Sequence, residues 1–170
     1  MKSKKNILII CLISFAFVFE GVFSNFLKIY SLLSPLFVLM TLIVIYPFLL
    51  NEKNEFYKYC FFSGVIYDIV YTDTIIVHGF LFLIIGFLIT KINLILANNH
   101  INVMVMALIV MVLYRSILYL LLVLTGNVNP SWEYYLQSIY LSIVSNVIYV
   151  FILNIVTDKL SIKLKLYKGN

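Results

Sequence analysis

Four ionisable side chains stand inside long apolar stretches of this 170-residue sequence: Glu20, Asp68, His78 and Arg115. If those stretches cross a bilayer, each group costs about 2.5–3.5 kcal/mol at mid-membrane unless it is paired or hydrated. The chemistry open to such groups is ion pairing, proton handling or ligand binding. At about 1.5 Å per residue along a helix, all four lie in the outer half of the membrane. We therefore expect a polar network, with Asp68 to Arg115 as its simplest neutralising pair.

Each of these groups also has a simpler interpretation. Glu20 is close enough to its helix end to be solvated, and His78 falls where an interfacial hydrogen bond explains it equally well. For Asp68 and Arg115 a buried structural ion pair is favoured over a ligand-binding or proton-handling role. The turn before the fourth apolar run contains Thr72, Asp73 and Thr74, and any of these can cap the helix that follows.

Catalytic motifs are missing from the sequence. It contains no His-Glu-x-x-His, no Gly-x-Ser-x-Gly, no Gly-Lys-Ser/Thr loop and no Cys-x-x-Cys. Its two histidines, His78 and His100, are predicted at opposite membrane faces. The sequence therefore predicts a protein that is not an enzyme and that carries no metal or cofactor.

The elements that position these groups follow from the composition, which is 64% hydrophobic and 11% charged. That balance excludes a soluble globule. The apolar runs cover residues 7–23, 32–50, 56–71, 74–89, 101–124 and 135–156. They predict one integral-membrane domain over residues 1–170, an all-α bundle of six transmembrane helices. The third run is short for a bilayer core of about 30 Å, so five spans and a re-entrant segment is the alternative.

The basic residues predict the orientation of this bundle. If the N-terminus is cytoplasmic and six spans alternate, ten of the twelve Lys and Arg residues fall on the inner side. Both termini are therefore expected in the cytoplasm. The net charge of +5 is confined to short flanks, which argues against a nucleic-acid surface.

Small and hydrogen-bonding residues mark the faces on which these helices can pack. Ser63 and Gly64 stand one turn before Asp68, and Gly79 and Gly86 recur in the fourth run. A polar stripe follows helical spacing in the sixth run: Ser138, Ser142, Ser145, Asn146 and Tyr149. Intramolecular packing is the favoured interpretation of these faces, and docking of another protein's transmembrane helix is the alternative.

The segment Phe61-Phe62-Ser63-Gly64-Val65-Ile66-Tyr67-Asp68 and the glycine-containing helix after it resemble the signature of the MreD family of rod shape-determining proteins. Gly64, Tyr67, Asp68 and Gly86 match the family motif, and Pro35 opens a second helix as the family's does. The departure at His78, where family members often have asparagine, leaves its role open.

The resemblance implies a non-enzymatic subunit of the bacterial cell-wall elongation complex, which maintains cell shape during peptidoglycan synthesis. It implies a multi-pass protein of the cytoplasmic membrane whose partner is the single-span protein MreC. Through that complex it is linked to MreB filaments, to RodA and to a class B penicillin-binding protein. Asp68 would then be structural, and self-association stays open.

A second function class remains, the substrate-binding membrane subunit of a vitamin or metal uptake transporter. Those subunits are also small, basic six-helix proteins, and the family's fold is thought to resemble theirs. They characteristically dock through an Ala-x-x-x-Ala face on the first helix. The first run of this chain has only Ala16, which counts against this alternative.

Overall fold

The computed structural model describes residues 2–27, 35–72, 74, 76–95, 99–127 and 129–166, and the described part is helical throughout apart from short turns. Within these ranges six α-helices follow one another, as the six apolar runs predict. They are α1 (Lys2–Leu27), α2 (Phe37–Ile45), α3 (Lys53–Tyr71), α4 (Val77–Ile92), α5 (His100–Leu124) and α6 (Trp132–Lys163).

Three of these helices are long and apolar enough to cross a membrane: α1, α5 and α6. The segment Phe37–Phe48, which contains α2, and the helix α4 are apolar but shorter. Helix α3 has the length, but Glu55, Lys58 and Asp68 lower its mean hydropathy. Length and composition thus support a membrane protein, and the number of crossings stays a prediction.

The second and third helices differ from the predicted lengths. Helix α3 is not short: it begins at Lys53 and spans 19 residues, because polar residues such as Glu55 continue the helix beyond the apolar run and suit its first turn. Helix α2 spans only nine residues. Pro47, which lacks an amide proton, stands in the 3-10 turn Tyr46–Phe48 that follows it.

Helix α2 forms the centre of the bundle. All its residues from Phe37 to Ile45 are buried, as expected for a helix that is apolar on every side. It packs against all five other helices, chiefly α1 and α6. Pro35 and the N-cap residue Leu36 precede it and are also buried. The start of α2 is therefore a buried helix end whose free amides need acceptors from elsewhere.

Helices α3 and α4 form a closely packed hairpin. A methyl group added at Gly64 would lie 2.2 Å from the carbonyl oxygen of His78, and one added at Gly86 would lie 2.7 Å from the Cys60 sulfur. At Gly79 the nearest atom to such a group would be a Val65 methyl at 3.0 Å. The absence of side chains at these positions is what lets the two helices approach, and it places His78 beside the end of α3.

Candidate functional site: a buried polar cluster

Asp68 sits near the end of α3 and is only 2% exposed. Its Oδ1 accepts hydrogen bonds from the hydroxyls of Thr72 (2.9 Å) and Thr74 (2.6 Å) and lies 2.7 Å from the Nδ1 of His78. Its Oδ2 accepts from the backbone amide of His78 at 2.8 Å. One carboxylate thus joins the end of α3, the turn after it and the first turn of α4.

The cap of α4 therefore comes from α3. In the described part of the chain, Thr72 and Thr74 donate their hydroxyls to Asp68 instead of accepting from the first amides of α4. Asp73, the third predicted cap, lies outside the described residues. A carboxylate accepts more strongly than a hydroxyl, and close helix packing brings Asp68 to the amide of His78.

Glu20 of α1 is 1% exposed, so it is buried and not solvated at an interface. Its Oε2 accepts from the backbone amide of Val38 at 2.9 Å, and its Oε1 accepts from the Tyr67 hydroxyl at 2.8 Å. The amide of Leu36 donates to the side-chain oxygen of Asn146 at 2.8 Å. The start of α2 is therefore capped by side chains from α1 and α6, and an acidic group there suits the helix dipole.

Tyr67 connects the two carboxylates. While its hydroxyl bonds to Glu20, its ring centroid lies 4.9 Å from that of His78, which contacts Asp68. Glu20, Tyr67, His78 and Asp68 thus form one cluster, which we call the polar cluster. It joins α1, α2, α3 and α4.

Arg115 of α5 also interacts with the polar cluster, through Tyr67 and Glu20. It is half-buried on α5 and interacts electrostatically with Tyr114, Tyr67 and Glu20. Among the described residues Asp68 contacts the imidazole of His78, and no ion pair joins it to Arg115, so the simplest predicted pair is not the one in the structure. The close approach of α3 and α4 places His78 against Asp68.

The polar stripe of α6 faces mainly into the bundle. Ser142, Asn146 and Tyr149 are buried. The Asn146 amide nitrogen donates to the Ser142 carbonyl at 2.7 Å, and the Tyr149 hydroxyl lies 2.8 Å from that of Thr41 on α2. Ser138 and Ser145 are partly exposed and bond to carbonyl oxygens of their own helix. The inner part of the stripe therefore anchors α6 on α2.

Sequence reasoning missed the bonds of Tyr67 and Thr41 and the use of Glu20 as a cap. A signal was present, because a nine-residue helix that is apolar on all sides must be buried, and buried amides are almost always paired. Glu20 and Asn146 are buried acceptors on neighbouring helices and were available for that role.

The polar cluster holds helices to one another through hydrogen bonds. The carboxylate oxygens of Asp68 and Glu20 already accept from amides, hydroxyls or an imidazole of the protein itself. In the described part of the chain, no three His, Cys, Asp or Glu side chains are grouped so as to hold a metal ion. The geometry is that of a group of side chains that fixes helices to one another.

In the part of the chain that the structure describes, two apolar grooves that border α1 open on the outside of the bundle. The α1–α3 groove has a volume of about 360 Å³ and is lined by Ile10, Ile13, Ser14, Phe17, Tyr59, Phe62, Ser63, Ile66 and Val70. The α1–α6 groove has a volume of about 460 Å³ and is lined by Phe15, Phe19, Phe23, Phe37, Val144, Ser145, Ile148, Tyr149, Ile152, Leu153 and Val156. Both are candidate sites for apolar partners.

Comparison with known proteins identifies the family. The sequence model of the rod shape-determining protein MreD matches residues 1–160. No curated protein and no solved structure matches the chain. The family match covers nearly the whole chain, including the polar cluster and both grooves. The chain therefore belongs to the MreD family of rod shape-determining membrane proteins.

Proposed function

We propose that this protein is a non-enzymatic membrane subunit of the bacterial cell-wall elongation complex, and that it binds the transmembrane helix of an MreC-type single-span protein in the cytoplasmic membrane. Membership of the MreD family over residues 1–160 is the observation that carries this proposal. Through that partner the protein is linked to MreB, RodA and a class B penicillin-binding protein, and so to cell shape.

The use of the buried ionisable groups supports a structural role. A carboxylate or imidazole that takes part in catalysis or transport must be able to contact the substrate. Here Asp68 is held by two hydroxyls, an imidazole and an amide, and Glu20 by a hydroxyl and an amide. Both carboxylates are therefore used in hydrogen bonds within the bundle.

The α1–α3 groove is the surface that suits a partner helix best. Its lining includes Ser14 and Ser63, and small side chains let two helix backbones approach closely inside a membrane. The glycines of α3 and α4 and the buried part of the α6 stripe are already used within the bundle. Of the predicted small-residue positions, Ser63 lines the α1–α3 groove and Ser145 lines the α1–α6 groove, so the α1–α3 groove has two serines in its lining and the other has one.

The two walls of the α1–α3 groove are held in place at both ends. At one end the Tyr71 hydroxyl of α3 donates to the Phe17 carbonyl of α1, and Tyr67 donates to Glu20. At the other end Lys5 of α1 forms an ion pair with Glu52 at 2.9 Å. Because the groove is already ordered without a partner, binding of a partner helix does not have to supply the free energy of ordering it.

Photocrosslinking in cells tests this proposal. A photoreactive residue replaces Ser14 or Phe62, and a matched control replaces Leu120 on α5, which is exposed to a similar degree as Phe62 (57% and 60%). We expect the two groove positions to capture a single-span MreC-type protein and the control to capture much less. Equal capture from Leu120 would contradict the location. Capture of a cytoplasmic ATPase module with no single-span partner would favour the uptake-transporter alternative.

A further inference from the structure

The α1–α6 groove differs from the α1–α3 groove in its lining, which is aromatic and aliphatic with little polar surface. Phe15, Phe19 and Phe23 form one wall at a spacing of one turn, and Ile148 and Ile152 belong to the other. The floor is a stacked pair, Phe37 on Tyr149, with ring centroids 4.3 Å apart. Bulky walls of this kind keep a helix backbone at a distance but make close contact with a thin hydrocarbon chain.

The half of the groove nearer the lysines lies within one leaflet. The α6 wall of the groove runs from Val144 to Val156, which is about 18 Å at 1.5 Å per residue. Half of a bilayer core is about 15 Å thick. Ile152 and Ile148 lie about 10 Å and 16 Å from Lys159 along α6, so an acyl chain that enters from the lysine side can reach both.

Free positive charge stands at one end of the groove. Lys159 is seven residues beyond Ile152 and Lys163 is seven beyond Val156, so both continue the groove face of α6. Lys4 lies on the phenylalanine face of α1, about 16 Å before Phe15 along the helix. All three are exposed. Within the described residues none of them has an ion-pair partner.

The acidic groups at this end are engaged elsewhere. Glu52 pairs with Lys5 at 2.9 Å, Glu55 with Lys58 at 2.9 Å, and Asp158 lies 3.4 Å from His100. The lysines at the end of the groove therefore give that end a positive potential. The orientation predicted from the basic residues puts it at the cytoplasmic surface, where anionic lipids attract lysine.

We propose that the α1–α6 groove binds an anionic phospholipid of the leaflet on the lysine side. One acyl chain lies along Phe15, Phe19, Ile148 and Ile152, and the phosphate lies between Lys159 and Lys163. Binding of the lipid fills the gap between α1 and α6, which both pack on α2. This proposal rests on the groove and its charges and does not depend on the MreC proposal.

Native mass spectrometry of the purified full chain tests the charge requirement. The protein is exposed to mixed micelles containing equal phosphatidylglycerol and phosphatidylcholine, and we expect retention of phosphatidylglycerol. The double change Lys159→Gln with Lys163→Gln should reduce that preference about tenfold or more, since each lysine near an anionic lipid contributes roughly a fivefold factor. Lys159→Arg with Lys163→Arg should keep it, and so should Lys53→Gln with Lys58→Gln, which removes the same charge from α3.

Variants that fill the groove with larger side chains test whether the lipid binds there. Ile148→Trp with Ile152→Trp should abolish lipid retention, whereas Leu120→Trp on the exposed face of α5 should not. An undiminished lipid preference in the Lys159/Lys163 glutamine variant, or full retention in the Ile148/Ile152 tryptophan variant, would overturn the proposal. So would efficient photocrosslinking from Ile148 to a partner's transmembrane helix. Because these side chains are exposed, an unchanged unfolding temperature serves as the check that each variant folds.

Discussion

At Asp68, two carboxylate oxygens hold the end of one helix to the start of the next. The side chain replaces a local cap for α4 and at the same time pairs with the imidazole of His78. Buried hydrogen bonds to a charged group contribute about 1.5–3 kcal/mol each. Asp68 and His78 together should therefore be among the most sensitive positions in the protein.

A double-mutant cycle tests the identity of the partner of Asp68. Asp68→Ala should lower the free energy of unfolding by about 3–5 kcal/mol, the usual cost of breaking a buried pair. The effects of Asp68→Ala and His78→Ala should be strongly non-additive, with a coupling of about 1 kcal/mol or more. The measurement is equilibrium unfolding in mixed detergent micelles. Coupling of Asp68 to Arg115→Ala that exceeds its coupling to His78 would contradict this assignment.

The capping of the buried start of α2 by Glu20 gives a separate prediction. Glu20→Ala leaves the Val38 amide and the Tyr67 hydroxyl without their acceptor, so we expect a loss of about 2 kcal/mol in the free energy of unfolding. Glu20→Gln should cost less because it keeps one carbonyl oxygen. The control is Glu133→Ala, an exposed acidic residue in the first turn of α6, which should change stability by less than about 1 kcal/mol. Equal losses at Glu20 and Glu133 would rule out the cap.

At the scale of elements, α3 and α4 cross closely at Gly64. The atom that a side chain there would meet is backbone, the carbonyl oxygen of His78. Backbone cannot rotate away as a side chain can. A change at Gly64 therefore moves a helix, and with it the bond between Asp68 and the start of α4.

Gly64→Ala should accordingly be much more damaging than Gly79→Ala. The methyl added at Gly64 would lie 2.2 Å from backbone oxygen, and the one at Gly79 would lie 3.0 Å from a Val65 methyl group. We expect Gly64→Ala to lower the free energy of unfolding by about 3 kcal/mol or more, the upper range for overpacking, and Gly79→Ala to lower it by about 1 kcal/mol. Thermal unfolding of both variants in one detergent measures the difference. Similar unfolding temperatures for the two variants would contradict this expectation, because they would mean that α3 and α4 can move apart with little loss of stability.

At the scale of the whole molecule, α1 lies between the two grooves. One of its faces borders α3, and the other faces α6 across the floor made by Phe37 of α2 and Tyr149 of α6. A small displacement of α1 would therefore alter both grooves. The polar cluster resists such a displacement, because Glu20 ties α1 to α2 and α3.

The topology of the whole chain makes a prediction of its own. With six crossings, single cysteines at Lys4 and Lys163 should react with a membrane-impermeant thiol reagent only from the cytoplasmic side, and one at Asn129 only from the outside. The two native cysteines are free, so the background carries Cys11→Ser and Cys60→Ala. Labelling of Lys4 and Lys163 positions from opposite sides would mean an odd number of crossings.

Several properties of this protein could be predicted from sequence because they depend on composition and local periodicity. The apolar runs predicted six helices and a membrane protein, and the motif around Gly64 and Asp68 indicated the family that the match over residues 1–160 shows. The helix ends were less predictable. Hydropathy does not detect that α3 starts at Lys53 within polar residues, or that α2 is only nine residues long.

Only the tertiary structure decided which polar groups meet. Asp68 faces His78 because two glycine-containing helices cross beside them, and Glu20 caps α2 because that helix is enclosed on all sides. Sequence spacing gives the depth of a residue along its own helix. It does not give the direction in which neighbouring helices turn toward each other, which is settled by packing of the whole bundle and by the need of every buried amide for an acceptor.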